Sequence, residues 1–343
     1  MSHDFVPVQW NRQKYFYDGI LIVSIMVFLA SFILAGLNAK VADPSILIMR
    51  ALGACAIVLL HVILAIGPLA RLSDRFKPLL YNRRHFGVIT AVIGLLHGGF
   101  ALMWYHGFGT INPIASAIGG YGNYGVAIEF PFESLGFIAL VILLIMAATS
   151  HDFWLTRLTP PIWKTLHMSV YVAYAALVGQ VALGTAQFDK VAGLLIALAV
   201  GAGLLTALHV AGLLKGRGLD ADSVEKSDWI NVGDALAIPL NKAVTVTPKS
   251  GERIAIFRQE KGVSAIVAVC SHQNGPLGEG CIKNGLITCP WHGFQFDPET
   301  GAAPPPFTDR VQTHKVIIEK GHVWVKAQPD PLGTVRKAVQ VAS

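Results

Sequence analysis

The sequence predicts a multidomain membrane protein, a six-helix transmembrane bundle followed by a small all-β domain. Three observations carry this expectation. The 343 residues are 53% hydrophobic and only 14% charged, where soluble chains carry about 25% charge. Apolar runs of near bilayer-spanning length fill the first two thirds of the chain. From Asp228 onward the pattern changes to short strand-like runs punctuated by turn residues, with paired Cys and His among them.

The apolar segments are Gly19–Ala39, Ile46–Leu69, His85–Trp104, Leu135–Thr149, Leu166–Leu183 and Val191–Leu214. Most approach the ~20 residues a helix needs to cross a ~30 Å hydrocarbon core. The fourth is short and is expected to extend into its flanks. Basic residues sort by side. Arg12 and Lys14 precede the first segment, Arg71, Arg75, Lys77, Arg83 and Arg84 lie between the second and third, Arg157 and Lys164 between the fourth and fifth, and Lys215 and Arg217 after the sixth. The opposite loops offer only Lys40 and Lys190. The positive-inside rule then places both termini and the β domain on the cytoplasmic face of the cell inner membrane. Trp10, Trp104, Trp154 and Trp163 fall at segment ends, as an interfacial belt would. The net charge of +6 follows from this topology. Nucleic acid, which would call for a basic soluble face and a binding motif, is not expected as a partner.

The expected boundaries are a helical domain over 1–216, a polar linker over 217–227, a β domain over 228–330 and a tail over 331–343. Strands are expected at Ile254–Phe257, Ala265–Val269, Leu286–Thr288, Lys315–Glu319 and Val323–Val325. Lys249-Ser250-Gly251, Pro298–Gly301 and Lys320-Gly321 supply turns between them.

Cys270-Ser271-His272, sixteen intervening residues and Cys289-Pro290-Trp291-His292 are the candidate metal ligands. Two thiolates and two imidazoles suit a [2Fe–2S] cluster with Cys on one iron and His on the other. A tetrahedral zinc site of the same ligand types is the alternative, although zinc has no need of Gly/Pro-rich loops. With Gln273–Gly280 after the first pair and Gly293–Asp297 after the second, these motifs resemble a Rieske domain, from about Asp228 to Gln328. The resemblance implies a cluster held by Cys270, His272, Cys289 and His292, with the His ligands at an exposed tip and Pro276 and Phe294 as shields. High-potential members of that family carry a disulfide between the ligand loops and a serine after the second. Here Ser271, Trp291 and Phe294 stand in those loops and Cys281 has no second partner near Cys289. No disulfide is therefore expected, which suits a reducing compartment. The potential is expected nearer ~−150 than ~+300 mV.

Ionisable residues within a bilayer are functional candidates by default. His61, His97, His167 and His209 lie inside apolar segments, while His85 and His151 lie near segment ends. Haem ligation explains such a set better than isolated hydrogen bonding. Arg83-Arg84-His85-Phe86-Gly87-Val88 leading to His97, and Trp163–His167 followed by Val170-Tyr171, resemble the ferric-reductase-like transmembrane family. That resemblance implies a six-helix bundle binding b-type haem between helices. Two-haem members have further histidines where this chain has Arg83 and Gln180. Depth arithmetic puts His97 about 20 Å from the inner edge, His61 about 15 Å and His167 about 5 Å. His97 with His61, and His167 with His85, are thus the candidate haem pairs. His209 is held in reserve, and Arg50 is a candidate partner of a haem propionate.

No Gly-rich dinucleotide fingerprint follows a strand. A cytoplasmic reductase or ferredoxin is therefore expected as redox partner, with electrons passing between cluster, haem and an outer-face acceptor or quinone, in either direction. The alternative is a membrane-tethered ferredoxin whose helices bind no haem. An oxygenase would need a large domain after residue 330, where only a short tail follows.

Overall fold

The computed structural model describes residues 12–39, 43–80, 82–119, 125–126, 129–151, 154, 158, 160–185, 192–217, 224–226, 228–248, 252–271, 275–291 and 293–341. The chain divides into two compact units, residues 10–69 with 82–210, and residues 211–343 with 70–81.

Among the described residues the helices are α1 (Arg12–Asn38), α2 (Pro44–Leu72), α3 (Lys77–Leu80), α4 (Arg83–His106), α5 (Pro113–Gly119), α6 (Glu133–Ala148), α7 (Pro160–Met168), α8 (Val170–Gly184) and α9 (Ala192–Arg217). Local chemistry sets their starts. Asp43 accepts from the amide of Ser45 at 2.8 Å, and Pro44 opens α2 where its missing N–H costs nothing. Asn112 likewise accepts from the amides of Ile114 and Ala115 before α5. Asn82, at the start of α4, makes no cap bond, because its amide donates to Asp18 of α1 instead.

Five stretches are long and apolar enough to cross a membrane: Lys14–Asn38, Pro44–Leu72, Arg83–His106, Ile162–Gly184 and Ala192–Lys215. The sixth expected crossing corresponds to α6, apolar but only 16 residues, or about 24 Å of rise. The count of six rests on this shorter helix. Outward-facing Val27, Leu96 and Leu204 are more than half exposed, as side chains in contact with lipid are. Glycines let the helices approach closely. A side chain at Gly98 would meet Leu140, one at Gly53 would meet the His97 ring, and one at Gly136 would meet the Gln180 amide.

The β unit holds β1 (Val224–Lys226), β2 (Trp229–Asp234), β3 (Ala243–Val246), β4 (Ile254–Gln259), β5 (Gly262–Val267), β6 (Cys281–Lys283), β7 (Leu286–Thr288), β8 (Gln295–Phe296), β9 (Thr313–His314), β10 (Val316–Glu319) and β11 (His322–Lys326). They form antiparallel sheets ordered β1-β2-β11-β10, β3-β4-β5-β9 and β6-β7-β8. β1 begins within the stretch expected as a linker and pairs with β2. The middle sheet is buried on both faces. Ile254 and Ile256 of β4 pack towards Ile230, Val323 and Val325, while Ala255 and Phe257 pack towards Ile282, Ile287 and Phe296. This is why β4 and β5 read as nearly continuous apolar runs rather than as alternation. The tail does not hang loose: Val339 exchanges backbone hydrogen bonds with Val263 of β5, and Arg336 pairs with Asp330 through two bonds of 2.7 Å.

Candidate functional site

Two short loops carry the candidate cluster ligands, and the same hydrogen bond closes both. The Cys270 amide donates to the Gly275 carbonyl at 2.9 Å, and the Cys289 amide donates to the Phe294 carbonyl at 2.8 Å. The first loop is anchored by Leu277 N–H on the Ala268 carbonyl at 2.7 Å. The second joins β7 to β8 and turns through Gly293, whose φ of +70° favours glycine. Each cysteine thus opens a loop that returns to its own amide five residues later. Both side chains are buried, at 1% and 2% exposure.

The two loops meet at Gly275. A Cβ there would collide with Cys289 Sγ and would lie 3.5 Å from the Trp291 ring. Ser271 Oγ, one residue after Cys270, is buried with no hydrogen-bond partner among the described residues. Buried thiols in an apolar shell, a glycine cradle at one sulfur and an orphaned hydroxyl on the residue that follows the other cysteine fit an inorganic sulfide cluster. His272 and His292 lie outside the described residues. Consistently, no group of three or more metal-ligating side chains converges among the described residues. Phe294 sits in the core, with ring centroids 5.2 Å from Phe296 and 5.1 Å from Phe307. It is 2% exposed, whereas Pro276 is partly exposed and bridges Val269. Cys281 forms no disulfide.

In the helical unit the histidines differ in which ring nitrogens are engaged. His61 uses both: Nδ1 donates to the Ile57 carbonyl at 2.8 Å, and Nε2 meets the Tyr174 hydroxyl at 3.0 Å. His209 repeats the arrangement with the Leu205 carbonyl and the Tyr171 hydroxyl. His167 donates Nδ1–H to the Trp163 carbonyl at 3.0 Å, stacks on the Trp163 ring, and has Ser150 Oγ 3.4 Å from Nε2. His85 presents Nδ1 to Asp18 at 2.9 Å. His97 donates Nδ1–H to the Met49 carbonyl at 3.0 Å, and its Nε2 has no hydrogen-bond partner among the described residues. His61, His97 and His167 make no ring contact or hydrogen bond with one another among the described residues. Sequence reasoning did not pick out Asp18 or Tyr174, and it read Tyr171 only as part of the Val170-Tyr171 resemblance. Asp18 is the single acidic residue of α1 and is 8% exposed, so a lone acid at the edge of an apolar run was the signal for it.

Residues 228–315 match the family model described as Rieske [2Fe-2S] domain, and residues 51–178 match that of the ferric reductase like transmembrane component. The heme-binding subunit MsrQ of protein-methionine-sulfoxide reductase from Bordetella pertussis is 30% identical over 152 residues, covering 44% of this chain and 68% of that protein. Cholesterol 7-desaturase nvd 1 of Ciona intestinalis is 28% identical over 144 residues, 40% of this chain. The chain spans only 28% of the desaturase's own length. Among solved structures, a chain from the complex of reduced oxygenase and oxidized ferredoxin in carbazole 1,9a-dioxygenase is 25% identical, with a TM-score of 0.29, covering 31% of this chain and 99% of that one. The molecule is thus a membrane protein with a Rieske [2Fe-2S] domain behind its helices. Through those helices it belongs to the ferric reductase-like transmembrane family that includes the MsrQ subunits.

Proposed function

We propose that this chain is a membrane-bound electron-transfer protein. It passes single electrons between a [2Fe–2S] cluster on Cys270, His272, Cys289 and His292 and b-type haem within the helical bundle. Six helices cross the bilayer in this reading, α6 among them, and the basic loops place both termini and the β domain on the cytoplasmic face of the inner membrane. A soluble reductase or ferredoxin meets the cluster, and an outer-face acceptor or a quinone completes the path.

The observation that carries the haem half is His97, whose Nδ1–H is fixed on the Met49 carbonyl while Nε2 stays unengaged. A haem-ligating histidine needs this division of labour, because the second nitrogen's hydrogen bond sets tautomer and ring orientation. Gly53 leaves the ring its room: any larger residue would drive a Cβ to 2.7 Å from Cε1. The cluster half rests on the two buried thiols and on Phe294, Phe296 and Phe307, which keep water from them. A cluster and a haem, when bound, each take up and release one electron at a time.

Absorption and paramagnetic resonance spectra of the purified full chain test the reading together. A Soret band and a rhombic signal after reduction are expected, and His97→Ala should lower haem content while keeping the rhombic signal. Full haem in that variant would remove His97 from its role. A Rieske signal without any Soret band would leave only a tethered ferredoxin.

A further inference from the structure

We infer that Arg71 is a positioning residue for the electron path: its guanidinium holds Glu279, and through Glu279 both cluster loops, in an electrostatic catch that salt can release. This rests on the electron path proposed above and names the contact that steadies its cluster end.

Both partners belong to one compact unit, which takes in residues 70–81 beside 211–343. Arg71 lies in the last turn of α2, where a basic side chain can fold back on the free carbonyls of its own helix end. Another cation does that work: Lys215 Nζ donates to the Leu72 carbonyl at 2.9 Å. Arg71 reaches Glu279, with Nε 3.2 Å from Oε1. The charges suit the pairing. Residues 70–81 carry Arg71, Arg75 and Lys77 against one acid, Asp74, and Glu279 is the single acidic residue between the two Cys-His pairs.

Glu279 ends the 3-10 turn Leu277–Glu279, and this turn ties the two ligand loops together. On one side the Leu277 amide anchors the first loop on Ala268, and the Glu279 amide donates to the Pro276 carbonyl at 3.0 Å. Leu277 itself is sealed in the core. On the other side Cys281 pairs with Thr288, the residue before Cys289. Gly280 lies so close that an added Cβ would collide with the Thr288 carbonyl. A pull on Glu279 is therefore felt at the seats of both cysteines. The side chains of Arg71 and Glu279 are 42% and 21% exposed, so the pair is weak and open to screening by salt. A weak pair suffices, because a covalent tether supplies a high effective concentration.

Two measurements on the detergent-solubilised full chain test the catch. One is amide hydrogen exchange over residues 277–281. The other is haem reduction after photoreduced deazariboflavin delivers electrons, with Cys289→Ser measuring what reaches haem directly. Expected in Arg71→Gln is faster exchange, and haem reduction through the cluster slower by about two- to fivefold, the span an exposed ion pair carries. The rhombic signal and Soret band should stay at full intensity. Salt near ~1 M should do the same to the wild type. Arg71→Lys should keep both properties, and the reversed pair Arg71→Glu with Glu279→Arg should restore them. Exchange and rate that are unchanged in Arg71→Gln would overturn the inference, as would a reversed pair no better than Arg71→Glu alone. Loss of the rhombic signal in Arg71→Gln would make the pair a support of the cluster itself and overturn the positioning role. Wild-type haem reduction that is indifferent to Cys289→Ser would instead sink the electron path, and this inference with it.

Discussion

Gly275 holds the two cluster loops at contact distance. Its missing side chain is what lets the first loop lie against Cys289 Sγ and the Trp291 ring. Gly275→Ala should therefore part the loops, an overpacking change that costs about 1–3 kcal/mol where nothing can yield. Iron and sulfide content per chain should fall, while the helical far-ultraviolet signal and any haem are unchanged. Unaltered iron and sulfide would show that the loops tolerate the methyl group. The ligand residues and the glycines around them were readable from the sequence because ligand spacing is a local property. The close approach of Gly275 to Cys289 was not, because fourteen positions separate them and only folding brings them together. The same holds for Asp18 and His85, whose 2.9 Å contact joins α1 to α4. It holds equally for Tyr174, whose hydroxyl lies 3.0 Å from His61 Nε2 across 113 positions of sequence.

β9 is only two residues long, yet it buries an ionisable group. His314 is 1% exposed and donates Nδ1–H to the Lys326 carbonyl at 2.9 Å. Burial pushes its imidazole below the ordinary value, against the opposing pull of that carbonyl and of Asp330. Lys315, Arg336 and Lys337 line the same cavity as His314. The native chain thus keeps His314 neutral while the unfolded chain protonates it below about pH 6.5. Stability contributed by neutrality is present at higher pH and lost as pH falls. Asp330 acts in the same direction at lower pH, since the hydrogen bond from Arg336 holds its carboxyl below the ordinary carboxylate value. The thermal midpoint for loss of cluster absorbance should drop between about pH 7 and pH 5, and His314→Leu should flatten that slope. An equal slope in the variant would show that His314 is not its source. The elements themselves were unevenly visible. β4, β5, β7, β10 and β11 were expected from composition, whereas β1, β2, β3 and β6 were not read as strands, and the two-residue β8 and β9 are too short to show a period and exist through pairing. The fourth apolar segment likewise matches α6, whose 16 residues fall short of a full crossing by themselves.

The helical half and the β half follow different solvents. One turns Val27, Leu96 and Leu204 outward, and the other buries both faces of its central sheet. That division was plain in the sequence because charge depletion and period change abruptly near residue 228. The proposed role joins the two halves by electrons alone. A photoreduced one-electron ferredoxin mixed with the full chain, with haem followed at its reduced α band, measures whether that path exists. Haem reduction in the wild type should follow cluster reduction and disappear in Cys289→Ser, which keeps the bundle but not the cluster. Haem reduced as fast in Cys289→Ser as in the wild type would show that electrons do not travel through the Rieske domain.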